Sequence, residues 1–238
     1  MIARQTPRLL APVVLAVSCV GAFVPVSAIP SAGAEPCPDV QVVFARGTDD
    51  PPGLGPTGQA FVDSLHSRVG GKSFDVYPVN YPATHDWTSA GEAGVRDAGA
   101  HVVSMARDCP NTKMVLGGYS QGAAVMGFVT SPVVPNGIDP AAVPKPLDPA
   151  VANHVSSVVL FALPSEKAMN FFGEPPVAIG PLYQAKTIQV CAAEDPICSD
   201  GMNFAAHDTY STNLAMIDKG AAFAAGLLGG GPAGRSSM

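Results

Sequence analysis

Ser120 stands in Gly118-x-Ser120-x-Gly122, between an apolar run at 114–116 and an Ala-rich, helix-compatible segment at 123–129. A serine hydroxyl attacks a carbonyl when a base takes its proton and a third group orients that base. A Gly-x-Ser-x-Gly spacing between a strand and a helix fits a nucleophile elbow, where flanking glycines let the two backbones pass closely. The motif alone recurs by chance in a chain with 25 glycines. Its weight comes from the strand before it and the helix after it.

The search for the base is short, because the chain has five histidines. His66 and His101 fall inside predicted helices and are expected to be solvated. His85 lies in a strand-end loop and competes for the role, while His154 opens a strand at the far end of the sheet. His207 follows the last predicted strand, directly precedes the final predicted helix, and comes after an acid, as the order serine, acid, histidine requires. Of the acids Glu194, Asp195 and Asp200, Asp195 is favoured: Pro196 and a Cys191 to Cys198 loop both restrict its backbone. Glu194 and Asp200 are expected to face solvent. An oxyanion also needs backbone donors. Gln121, after the nucleophile, offers one; Thr48, after Gly47, offers a second, with its hydroxyl as a third.

These residues need a frame that gathers strand ends. Strands are expected at 40–45, 74–79, 112–117, 155–163 and 185–190, alternating with helices at 57–69, 89–107, 123–130 and 210–228. The proline-rich stretches 131–149 and 164–183 are expected to be an irregular excursion and a surface loop. Valine-dense strands without clean alternation indicate a parallel sheet covered on both faces, a single three-layer α/β domain over 35–228. In such sheets chemistry gathers at the carboxyl ends of the strands.

The ends of the chain read differently. Arg4 and Arg8 precede an apolar run at 9–26, and Ala32-Gly33-Ala34 supplies small residues, so 1–34 is expected to be a secretory signal peptide. Its removal takes two of 13 basic residues and none of 19 acidic ones, leaving a formal charge of −8. No basic run remains, which argues against nucleic acid, and no later stretch is apolar and long enough to span a bilayer. Residues 229–238 are expected to be a disordered tail. Four cysteines remain, Cys37, Cys109, Cys191 and Cys198, an even set that fits two disulfides in an exported chain. Three pairings are open; closing the short 191 to 198 loop costs least entropy and leaves Cys37 to Cys109. A metal site on these thiols would need a compact C-x-x-C group, which is absent.

Gly117-Gly-Tyr-Ser-Gln-Gly-Ala123, Phe44-Ala-Arg-Gly-Thr48, the pair Cys37 and Cys109, Asp195-Pro-Ile-Cys198 and the later His207 together resemble the cutinase family. The resemblance, strongest to secreted actinobacterial and mycobacterial cutinase-like esterases, covers roughly 37–228. It implies a small lidless α/β-hydrolase, an α/β/α sandwich on a five-stranded parallel sheet. It implies Ser120, Asp195 and His207 as a triad, Thr48 with Gln121 as the oxyanion hole, and the two cysteine pairings above. No metal or organic cofactor is expected. Trp87, Phe171, Phe172 and Leu182 are expected to wall the substrate site, in place of the small aliphatic flaps of fungal members. The expected substrates are therefore small-molecule or lipid esters of short to medium acyl chains, met by a secreted monomer with room for transient contact with lipid or the cell envelope. Polyester cleavage, or lipase, phospholipase or thioesterase activity on the same triad, are the alternatives. A catalytically silent secreted binding module is the alternative outside enzymes.

Overall fold

Valine and phenylalanine fill strands that are covered on both sides. In β1 (Val40–Ala45) every residue is buried, and β3 (Lys113–Tyr119) and β4 (Val155–Phe161) are nearly as dry. With β2 (Phe74–Pro78) and β5 (Thr187–Val190) they form one all-parallel sheet in the order β2-β1-β3-β4-β5. The computed structural model describes residues 36–229. The expected leader at 1–34 and all but Gly229 of the expected tail lie outside the described residues.

Alternate side chains of each strand feed two cores, as period-two geometry requires. On one face α1 (Gly55–His66) and α7 (Leu214–Leu227) cover Phe44, Val115 and Phe161 with Phe61 and Ile217. On the other, α2 (Trp87–Asp108) and α3 (Gln121–Val129) cover Val43, Leu116 and Leu160 with Val102 and Met126. This is a three-layer α/β/α sandwich. The chain leaves β1 toward the β2 edge and returns on its other side at β3, so a topological switch point lies between the carboxyl ends of β1 and β3, where open α/β sheets form their crevices. Thr48 follows one of these strands and Ser120 the other.

Two disulfides tie the loops to this frame: Cys37 to Cys109 and Cys191 to Cys198, with Cα separations of 5.5 and 5.9 Å. On loop entropy the first, spanning 72 residues, contributes about 4 kcal/mol and the second, spanning 7, about 2 kcal/mol. The long one chiefly secures the domain; the short one secures a loop.

Some elements differ from expectation. The stretch 164–183 is not all loop: it holds α4 (Glu166–Phe172) and the single turn α5 (Pro181–Gln184). Ser165 caps α4 by accepting from the Ala168 N–H, and Gly173 ends it at φ 78°, so helix signals sat just before the Pro175-Pro176 pair. The final helix begins at Leu214, with Asn213 capping it, and not at Tyr210. His207 therefore sits on its own turn, α6 (Phe204–His207), seven residues ahead of α7. His101 is not solvated: it is half-buried, stacked on Tyr77 at 3.5 Å between centroids, with Nε2 2.8 Å from Gln41 Oε1. Burial holds its imidazole below the usual histidine range.

Candidate active site

The backbone at Ser120 has φ 54° and ψ −118°, a conformation that costs an L-residue about 1–3 kcal/mol. The surroundings impose it. A Cβ on Gly118 would lie 2.3 Å from Gly122 O, and one on Gly122 would lie 2.0 Å from Ala45 O. Only glycines let the first turn of α3 pass this close to β1 and β3. The Ser120 N–H donates to Phe161 O at 2.9 Å, which ties the elbow to β4 as well.

At that apex Ser120 Oγ stands 2.9 Å from His207 Nε2, and His207 Nδ1 stands 2.8 Å from Asp195 Oδ2. An ionised carboxylate only accepts, so Nδ1 carries the proton and Nε2 is free to accept from the serine. Asp195 is fully buried, while Glu194 and Asp200 are exposed. Its Oδ1 accepts from the Ile197 N–H at 2.9 Å, and its Oδ2 also accepts from the Tyr210 hydroxyl at 2.8 Å. Burial pushes this carboxyl up, but the hydrogen bonds from His207, Ile197 and Tyr210 outweigh it and hold Asp195 below the usual carboxylate range. A lowered folded value means that its stabilising contribution is present above the unfolded value of about 3.9 and is lost as pH falls through the lower folded one. Urea midpoints measured from neutral to acid pH should therefore show a shallower acid decline in Asp195→Asn than in wild type.

The loop after β1 is held as firmly. Buried Arg46 donates through Nε to Asp50 O at 3.0 Å and through Nη2 to Tyr81 O and Pro82 O at 2.7 and 3.1 Å. Asp50 Oδ2 accepts from the Gly47 N–H at 2.8 Å, and the Asp49 N–H donates to Ala83 O at 2.8 Å. Thr48 lies between these anchors. Its hydroxyl is buried without a hydrogen-bond partner, as is Gln121 Oε1. Ala45 pairs with Gly118 in register, so the loops that carry Thr48 and Ser120 leave the same end of adjacent strands.

The expected wall is only partly assembled. Trp87 opens α2 at the carboxyl end of the sheet and stacks on Phe172 at 4.1 Å. Phe171 meets Phe172 edge-on and is 85% exposed. Leu182 is elsewhere: α5 leads into the start of β5, so Leu182 lies at the amino end of the strands, opposite Ser120. His85 pairs with Asp49 at 2.7 Å in an exposed contact, and His154 ends a 3₁₀ turn at the amino end of β4. Exposed His66 stacks on Phe74. Among the described residues no three His, Cys, Asp or Glu side chains cluster as metal ligands.

Residues 36–227 match the family model described as Cutinase. The chain belongs to the cutinase family. It is similar to the probable carboxylesterase Culp5 of Mycobacterium tuberculosis, 53% identical over 71% of this chain and 95% of that protein. Carboxylesterase Culp1 of the same organism is 47% identical over 83% of this chain and 85% of its own length. Among solved structures, Trichoderma reesei cutinase in complex with a phosphonate inhibitor is 36% identical, with a TM-score of 0.62, over 81% of this chain and 78% of that one. This cutinase-family chain is a carboxylic ester hydrolase.

Three further residues support this cutinase-family site in roles that the sequence does not assign to them. Tyr210 sits three residues past His207; its oxygen accepts from the Ala192 N–H at 2.9 Å while its proton goes to Asp195. Tyr119 donates its hydroxyl to His207 O and stacks on the His207 ring at 5.3 Å. Burial pushes both tyrosine hydroxyls above their usual range, so both remain donors. Arg46 stands in the Phe44 to Thr48 motif and Tyr119 in the elbow motif, but neither motif shows what its side chain touches.

Proposed function

We propose that this cutinase-family hydrolase is a secreted serine esterase that cleaves esters of short to medium acyl chains through an acyl-enzyme on Ser120. The observation that carries the reading is the continuous line from Ser120 Oγ through His207 to buried Asp195, at 2.9 and 2.8 Å.

His207 Nε2 takes the Ser120 proton as Oγ bonds to the ester carbonyl carbon, and the carbonyl oxygen becomes an oxyanion. The N–H groups of Thr48 and Gln121, with the unpartnered Thr48 hydroxyl, receive that charge. One such donor is worth about 3 kcal/mol in the transition state. The imidazolium returns its proton to the leaving alkoxide, the C–O bond breaks, and alcohol departs. Water then repeats the sequence on the acyl-serine and releases the acid. Asp195 stays ionised throughout and fixes the imidazole tautomer. Two disulfides and the small-residue-terminated apolar leader support export.

A shared acyl-enzyme has a kinetic signature. In the presence of ethanol, p-nitrophenyl butyrate and phenyl butyrate should yield the same ratio of butyrate to ethyl butyrate, because both pass through one acylated Ser120. Ratios that differ between the two esters, or no turnover of either, would overturn the proposal.

A further inference from the structure

A narrow apolar slot runs between α2 and α3 beneath the excursion that follows α3. Its floor is Gly91, Val95 and Gly99, spaced one helical turn apart along α2, with Phe128 of α3 beside them. Its roof includes Val133, Ile138 and Pro144. The space over Gly91 is open, since a Cβ there would meet nothing within 4 Å, whereas a Cβ on Gly99 would meet Pro144 Cγ at 3.4 Å. Arg96 donates to Ala142 O and pins the roof down at that closed end. From Gly91 to Gly99 the slot runs about 12 Å at 1.5 Å per residue. About 60 Å³ of space remains open along it.

Gln121, the residue after Ser120, lines the slot, and so does Trp87, so its near end lies at the carboxyl edge of the sheet where the serine stands. The reaction itself gives the direction. The leaving oxygen must face His207 Nε2 to be protonated. His207 is held by Tyr119 and Tyr210, which pack with the core of the α1 and α7 face. The remaining substituent of the tetrahedral carbon is the acyl chain, which tetrahedral geometry separates from the leaving oxygen and so from His207.

We propose that this slot seats the acyl chain of the substrate: one unbranched chain, comparable in length to a decanoyl group, threaded from Ser120 past Gln121 and Trp87 and under the roof over α2. The proposal rests on the serine esterase reading. Each methylene seated in the slot raises kcat/KM by up to about fourfold, and carbons beyond the closed end at Gly99 add nothing.

The test is the ratio of kcat/KM for p-nitrophenyl decanoate to that for p-nitrophenyl butyrate. Gly91→Leu fills open space in a helix that gains by losing a glycine, so its melting temperature should stay level or rise. Its decanoate-to-butyrate ratio should fall at least tenfold. Phe128→Ala widens the same slot and should move the ratio the other way for dodecanoate. If both variants are folded, hydrolyse esters and keep the wild-type ratios, the slot assignment is wrong while the esterase reading stands. If the wild-type protein hydrolyses neither ester, the esterase reading falls and this inference with it.

Discussion

Replacing Ser120 with alanine should lower kcat/KM for p-nitrophenyl butyrate by about 10⁶-fold and leave the fold unchanged. In the proposed mechanism the loss is that large because the hydroxyl oxygen bonds to carbon, and the oxyanion donors that remain supply only residual catalysis. The fold survives because alanine keeps the strained backbone that the packing of Gly118 and Gly122 imposes. Unfolding free energies from urea titration of wild type and Ser120→Ala should agree within about 0.5 kcal/mol, the range of a change that removes no packed side chain. Ester hydrolysis and urea titration on the same preparations check both halves of the statement.

Asp195→Asn should lower kcat by about 10⁴-fold with little change in KM. The side chain is boxed in. The Oδ1 position receives the Ile197 N–H, so the asparagine keeps its oxygen there, and its NH₂ must face His207 Nδ1 and the Tyr210 hydroxyl. An N–H aimed at Nδ1 selects the tautomer with its proton on Nε2, which points at Ser120 and cannot take a proton from it. Butyrate binding does not touch this buried position, so the effect falls on kcat. A small loss of kcat accompanied by a large rise in KM would mean that Asp195 shapes the binding surface and does not orient the base.

What was legible in the sequence were features made by neighbouring residues. Two glycines around Ser120 declare a close backbone passage, and a proline beside Asp195 within a cysteine loop declares a restricted carboxylate. Alternating valine-rich strands and helices declare the layers, and chain order singled out His207 among five histidines. What stayed hidden depends on approach across the fold. Tyr210 reaches Asp195 only because the chain between α6 and α7 turns back over β5, and Arg46 matters only because the loop at 80–84 presents its carbonyls to it. Leu182 was placed with Phe171 and Phe172 by nearness in sequence, yet the chain crosses from one end of the sheet to the other between them. Ser165 and Gly173 bracket α4 with ordinary caps, but the prolines that follow drew the expectation toward a loop. The excursion at 131–149 has no periodicity of its own, so nothing in the sequence shows it roofing a slot between α2 and α3.

The most direct measurement is labelling of the purified protein with a fluorophosphonate, followed by mass spectrometry of the intact chain and its peptides. The predicted result is one adduct per chain, on the Ser120 peptide, absent from Ser120→Ala and suppressed in His207→Ala. An adduct on any other residue, or undiminished labelling of Ser120→Ala, would contradict the assignment of Ser120 as the nucleophile.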